Sequence, residues 1–397
     1  MNISHEYFSL VNKKLPCIHI VVPGKQLCDQ AKSYINSWKT YGFSEAPTLG
    51  SILPSLIVNR YIHSHNFLFS YIEEDLPLSD INQRCSAEIL NSKVLPSWYF
   101  ENVCTMFLIC SHFKPVQCLI SYIRANCLTT RHIKVVELQH GWVVGKQSSL
   151  RYVGQNYPNS NPDYYLVHDQ YSAQHLHELF DPIQTIEIGD ILFSLQLLRR
   201  FEKSSITNLR IPSNQEKTHN LLVCFSERDI ELGYANKNFL MLRGNAFPRE
   251  LIPLLKFLEL SYGKVAIKMR SKPHQDQSKI KKGFSSVKSQ SCISDDLLWA
   301  DSVASALSTV SLSASYLQIP SYFYISNISQ IHKALIDKYS SDIIHISSNT
   351  SLGELEAYSK SVENWVHANL LERNKKCLQY ARMTIAKCYR FLDSILL

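Results

Sequence analysis

The chain has no stretch of about 18 or more uncharged apolar residues, the length a membrane-spanning helix requires. Even its greasiest part, 100–123, is interrupted by His112 and Lys114. The Met1 end, MNISHEYFSLVNKKLPCIHIVVPG, lacks the basic flank and long apolar run of a secretory leader. The eleven cysteines are odd in number and form no C-x-x-C pair, and Cys104, Cys110, Cys118 and Cys224 stand among apolar neighbours. Reduced, buried thiols are therefore expected, not zinc ligands or disulfides, and a cytoplasmic location with them. Lysine and arginine are spread along the chain despite a net charge of +7, and no zinc, helix-turn-helix or RNA-binding motif accompanies them. That excludes nucleic acid as the expected partner and leaves phosphorylated substrates or an anionic membrane face. No repeat with a period of roughly 20 to 50 residues is found, which excludes a solenoid.

What is present is a globular composition, 45% hydrophobic and 19% charged, over 397 residues, enough for two ordinary domains. Short β-rich runs at 17–22, 67–71, 105–110 and 133–138 alternate with helical patterns such as 27–38. A second series starts near Asn220 with LLVCFS. It continues with a helix over 248–261 opened by Pro248, a strand at 265–269, a short helix at 295–300 and a strand at 321–325. Alternation of this kind predicts parallel sheets with helices on both faces. The polar stretch 204–219, SSITNLRIPSNQEKTH, reads as a linker. The last part, 352–397, is helical in pattern: Leu371, Leu378, Ile385, Cys388 and Leu392 recur on one face, and Lys375, Lys376, Arg382, Lys387 and Arg390 add positive charge.

Three segments carry candidate chemistry. In VVELQHGWVVG an apolar strand delivers Glu137, Gln139 and His140 to an end that breaks at Gly141. Ligands gather at the carboxyl ends of strands in open parallel sheets, and an imidazole titrating near neutral pH suits general-base work. On an extended strand Glu137 and Gln139 face one way and Leu138 and His140 the other, so Glu137 is the competing base. In VAIKMRSKPHQ a strand ends in Lys268, Arg270, Lys272 and His274, a set of cations suited to clamping phosphate. In the third, 299–325, an acidic turn at Asp301 leads to Ser308, Thr309 and Ser311 before a helix, whose free N–H groups make a phosphate seat. Ser313 and Ser315 fit helix packing or capping instead.

With these segments in this order, the chain over about 135–325 resembles bacterial GT-B glycosyltransferases of capsule and lipopolysaccharide assembly, including the sialyl- and Kdo-transferase families that use CMP-sugars. It is also similar to the CDP-glycerol and CDP-ribitol phosphotransferases of teichoic acid synthesis. Gln139-His140-Gly141 matches the acceptor-side motif, 268–274 the His-Pro-type motif after a Lys-containing strand, and 308–311 the Ser/Thr cluster. PDYYLVHDQYSAQHL and TIEIGDILF look like the last strands of such an N-terminal domain. Two departures stand out: Pro273 precedes His274, and Gln139 and His140 replace the acidic pair of several sialyltransferases.

The resemblance implies an α/β GT-B fold, two Rossmann-like domains facing a cleft. The expected parts are an acceptor-binding domain at 1–203, a linker at 204–219, a nucleotide-sugar-binding domain at 220–351 and helices at 352–397 packing across the cleft. It implies an inverting transfer from a nucleotide-sugar donor, with CMP favoured, to a glycan or lipid-linked glycan acceptor, at the inner-membrane surface if the basic helix docks there. His140 or Glu137 is the implied base, Gln139 and Gly141 lie on the acceptor side, and Lys268, Arg270, His274, Ser308, Thr309 and Ser311 bind the donor. No cofactor and no metal are expected, since no D-x-D pair is present to hold a divalent ion. A CDP-polyol phosphotransferase and a non-catalytic nucleotide-binding α/β protein remain the alternatives.

Overall fold

The computed structural model describes residues 3–8, 15–22, 56–58, 60–61, 63–72, 97–108, 114–126, 133–139, 160–179, 184–203, 218–224, 239–242, 245–270, 293–306, 309–324, 342–362 and 370–397. The chain divides into two compact units, Met1–Leu192 with Ala386–Leu397, and Phe193–Ile385. Of the stretch 204–219, Thr218 and His219 open a strand and the rest lies outside the described residues.

The first unit carries a seven-stranded sheet among the described residues, in the order β1-β3-β2-β4-β5-β6-β7. Its strands are β1 Ile3–Phe8, β2 Cys17–Val22, β3 Asn66–Ile72, β4 Val103–Leu108, β5 Lys134–Leu138, β6 Tyr164–Val167 and β7 Gln184–Glu187. β1 pairs antiparallel with β3, and the other pairings are parallel. A parallel strand in mid-sheet is covered on both faces, which explains why β2, CIHIVV, is buried at every position. Helices α1, Ser97–Asn102, and α2, Lys114–Asn126, cover one face. There Tyr99, Val116, Leu119, Ile120 and Ile123 pack against Cys17, Val21, Met106, Leu108 and Val135. His19 lies on this same face between Cys17 and Val21, buried and bonded at both ring nitrogens, with Nδ1 2.7 Å from the Tyr99 hydroxyl and Nε2 2.7 Å from Ser70 Oγ. Helices α3, Gln170–Leu179, and α4, Ile191–Lys203, follow β6 and β7.

The second unit holds a five-stranded, wholly parallel sheet, ordered β11-β8-β12-β13-β14. The strands are β8 Thr218–Cys224, β11 Lys264–Arg270, β12 Ser302–Ser305, β13 Ser321–Tyr324 and β14 Ile343–Ile346. β9 Phe239–Leu242 and β10 Asn245–Pro248 form a separate antiparallel pair. Pro248 therefore ends a strand, and the helix expected from it starts later, as α5, Ile252–Tyr262, with a proline in its first turn. α5 stops at Gly263, whose φ of 74° turns the chain directly into β11 while its N–H bonds Glu259 O at 2.7 Å.

Alternation along β8 assigns its two faces. Leu221 and Val223 pack with Leu251, Leu254 and Leu258 from the α5 side and with Leu355 and Tyr358 of α8, Leu352–Ser361. Leu222 and Cys224 face the other way, toward α6, Ile293–Trp299, α7, Thr309–Tyr316, Phe193 and Leu197 of α4, and Cys377 and Ala381 of α9, Leu370–Leu396. The expected α/β architecture is what forms, with the second unit's parallel sheet covered by helices on both faces. The described cysteines Cys17, Cys104, Cys118, Cys224, Cys377 and Cys388 are free thiols. Burial pushes those of Cys17, Cys224 and Cys388 up to about 12, so they pack as small apolar groups. No helix among the described residues is long and apolar enough to cross a membrane.

Candidate functional site

At the carboxyl end of β5, Gln139 leaves the strand and both ends of its side-chain amide are bonded. Its Oε1 accepts the His168 backbone N–H at 2.8 Å, its Nε2 donates to Ser172 Oγ at 3.1 Å, and its own N–H bonds Leu166 O at 2.9 Å. The bond is returned: His168 Nε2 donates to the Gln139 carbonyl at 3.1 Å. Asp169 caps α3 by accepting the Ser172 N–H at 2.7 Å. Gln139 thus locks the end of β5 to the turn after β6. Glu137 sits two residues earlier, paired in register with Leu108 and Tyr165 and fully buried. His140 and Gly141 lie outside the described residues.

In the second unit Lys268 and Arg270 share one face of β11, as residues two apart on a strand must. Both meet one buried carboxylate on α6. Lys268 Nζ lies 3.1 Å from Asp296 Oδ1, and Arg270 Nη1 lies 2.6 Å from Asp296 Oδ2. The ammonium also stands 4.3 Å from the centre of the Trp299 ring. The two cations differ in access: Lys268 is buried, whereas 24% of the Arg270 side chain reaches solvent at the strand end. Cys224, beside Arg270 in register, is a buried neutral thiol. His274 lies outside the described residues.

The chain goes from β8 to its neighbour on one side, β11, and then to its neighbour on the other, β12. The strand order reverses there, at the carboxyl ends of β8 and β12, the position at which open α/β sheets bind ligands. Ser305 ends β12, and α7 begins at Thr309, four residues on. Ser305 Oγ donates to Ala306 O at 3.0 Å and lies 2.6 Å from Ser311 Oγ. Since the Ser305 proton goes to the carbonyl, Ser311 donates to Ser305. Ser311 is buried, and Ser321 Oγ donates to its carbonyl at 3.0 Å. Ser311 therefore ties α7 to β12 and β13. Ser308 lies outside the described residues, and Thr309 opens α7. Ser315 bonds Leu312 O at 2.8 Å within the helix and Ser313 is buried, in line with packing roles.

Sequence reasoning passed over two residues that the fold brings into these clusters. Asp296 lies in ISDDLLW, where an acidic first turn looks like ordinary helix-end charge, and only the pairing of α6 with β11 shows its use. His168 directly follows the strand YYLV, as Gln139 and then His140 follow VVEL. That pattern, a polar residue just past a buried strand, was the available signal. Among the described residues no group of three His, Cys, Asp or Glu side chains is arranged to hold a metal ion.

No protein-family model matches the chain, and no curated protein matches it. Solved structures do align along nearly its whole length at low identity. UDP-N-acetylglucosamine 2-epimerase from Rickettsia bellii is 13% identical over 96% of this chain and 97% of that one, with a TM-score of 0.49. The glycotransferase of kitacinnamycin is 9% identical over 97% and 100%, with a TM-score of 0.47. A variant of the wall teichoic acid polymerase TagF is 12% identical over 95% and 88%, with a TM-score of 0.45.

Proposed function

We propose that the chain is a GT-B-type glycosyltransferase that moves a sugar from a nucleotide-activated donor, a CMP-sugar by preference, onto a glycan or lipid-linked glycan of the bacterial surface, with inversion and without a metal. One observation carries this function. The three segments with candidate chemistry all fall at carboxyl ends of parallel strands: Gln139 after β5, Arg270 at the end of β11, and the turn from Ser305 to α7 after β12. Strand ends of this kind are where each open α/β sheet binds its ligand, and the β8–β12 reversal is where the rule puts a nucleotide.

In this mechanism the second unit holds the donor. Arg270, with its solvent-reaching guanidinium, and the positive end of the α7 dipole neutralise the leaving phosphate, joined by His274, Ser308 and Thr309. Lys268 and Ser311 act from behind: the first through Asp296, which fixes Arg270, the second through Ser305. The first unit receives the acceptor at the end of β5, where His140, following Gln139, takes the hydroxyl proton, with Glu137 as the alternative base. The chain works as a cytoplasmic protein held peripherally at the inner membrane by the basic face of α9.

A thermal-shift panel of CMP, CDP, UDP, GDP and ADP tests this directly. A ligand that binds only the folded chain raises its Tm, and at a concentration near 100 Kd it adds about 2.7 kcal/mol. The expected result is a shift with CMP. A shift with CDP alone transfers the assignment to a polyol phosphotransferase, one with UDP or GDP replaces the donor, and no shift with any nucleotide overturns the function.

A further inference from the structure

A second imidazole stands at the acceptor-side strand end, and its protonation pattern is fixed by a bond. A backbone carbonyl can only accept, so the 3.1 Å contact from His168 Nε2 to the Gln139 carbonyl requires the proton on Nε2. In the neutral ring the lone pair then belongs to Nδ1. The backbone of His168 is held as well, through its N–H to Gln139 Oε1 at 2.8 Å. Ring and main chain are thus pinned to the residue that immediately precedes His140 in sequence. Such an arrangement, one nitrogen spent on an orienting bond and the other carrying the lone pair, is what a general base needs.

His168 differs in this from the buried histidines. His19 has both ring nitrogens bonded at 2.7 Å, and His219, bonded to Ser302 Oγ at 2.8 Å, is held neutral by burial, its pKa lowered to about 3. Both are core residues. His168 is half-buried and sits at the carboxyl end of β6, the strand beside β5.

We propose that His168 is the base that activates the acceptor hydroxyl. The acceptor O–H bond breaks and its proton passes to Nδ1. The electron pair left on oxygen forms the new bond to the anomeric carbon, while the bond from that carbon to the leaving phosphate oxygen breaks and its pair departs with the nucleotide. His168 holds this role only if the chain is a transferase, and it moves the base from His140 to the imidazole whose tautomer is set by Gln139.

Two measurements test it. Diethyl pyrocarbonate acylates basic ring nitrogens, so His168 should be carbethoxylated at neutral pH while His19 and His219 resist, as mapped by mass spectrometry. An unreactive His168 overturns the proposal without touching the transferase function. The second compares wild type, His168→Gln and His140→Ala in nucleotide release from CMP-N-acetylneuraminic acid, CDP-glycerol and UDP-N-acetylglucosamine, with water as acceptor. Glutamine keeps an N–H for the Gln139 carbonyl but has no basic nitrogen. His168→Gln should therefore retain the wild-type Tm and nucleotide shift and lose about 10²-fold or more in kcat with little change in donor KM. In His168→Ala added imidazole should restore part of the rate, which a merely structural defect would not allow. Wild-type turnover in His168→Gln overturns the base assignment alone, and total loss in His140→Ala beside it returns the role to His140. No release by the wild type from any of the three donors removes the transferase function and this role together.

Discussion

Asp296 is a single buried carboxylate answering two cations, and the three charges stand or fall together. Lys268 has only 3% of its side chain exposed, so its ammonium depends on Asp296 and the Trp299 ring for all that water would otherwise supply. Asp296→Ala strands that charge, and breaking a buried pair from one side costs about 3–5 kcal/mol. Lys268→Met should cost clearly less, because Arg270 stays on Asp296 at 2.6 Å and the methionine stem keeps the packing against Trp299. Urea denaturation of the two variants checks the ordering, and equal losses would show that the triad is not coupled in this way. Sequence could place Lys268 and Arg270 on one strand face, since the period of two requires it. It could not show that Lys268 turns inward, because the partner is 28 residues further on and belongs to a different element. A cation cluster read as a phosphate clamp is therefore, in the described residues, one presented guanidinium with a buried lysine behind it.

The elements themselves divide by how strongly one period marks them. β2 was legible to the residue, 17–22, because a strand covered on both faces is apolar throughout. β10 was not: NAFP is too short to show alternation, and Pro248 looked like a helix start because its φ suits either role. β1, ISHEYF, pairs as an antiparallel edge and has too polar a sequence to declare itself. α9 was legible as helix from its apolar stripe, yet nothing local told where its end is fastened. Asp393 is bound there by Arg60 Nε at 3.0 Å and by the Tyr61 hydroxyl at 2.6 Å, with the Arg60 guanidinium 4.4 Å from the Tyr389 ring centre. Tyr164 meets Phe391 edge-on, and Lys134 Nζ donates to Ile395 O at 3.3 Å. The Arg60 hydrogen bond is the main cause holding the Asp393 carboxyl below its ordinary 3.8. A depressed carboxylate stabilises the fold in full above its unfolded pKa, and that contribution disappears as pH falls through the folded value. Hydrogen exchange over 386–397 should accordingly be faster in Asp393→Asn at pH 7, by up to about fivefold since 40% of the Arg60 side chain is exposed and such pairs give at most about 1 kcal/mol. The gap between variant and wild type should close below pH 3.8. A gap that persists in acid would assign the anchoring to packing alone.

At the scale of the whole molecule the net charge of +7 is not evenly felt, because one helix presents a large share of it on a single face. Along α9 the buried positions Cys377, Leu378, Ala381, Thr384, Cys388, Phe391 and Leu392 recur every three or four residues. The opposite stripe exposes Lys375, Lys376, Arg382, Lys387 and Arg390, with exposed Met383 among them. From Lys375 to Arg390 the helix rises about 23 Å, so these cations line one extended edge. Two have polar neighbours, Lys376 on Gln318 Oε1 at 2.7 Å and Lys387 at 3.9 Å from Glu187, and neither contact removes the positive field of the stripe. An anionic bilayer is the flat, multivalent surface that such an edge matches. Each lysine or arginine brought to it contributes about 1 kcal/mol, roughly fivefold in partition. Flotation with phosphatidylglycerol vesicles should recover the chain, recovery should fall as salt is raised, and phosphatidylcholine vesicles should leave it in the soluble fraction. Lys375→Glu with Arg382→Glu and Arg390→Glu should abolish recovery while Tm and the nucleotide shifts stay at wild-type values, since all three side chains point away from the core. Equal recovery on neutral vesicles, or recovery untouched by the triple charge reversal, would leave the stripe as a solvated helix face.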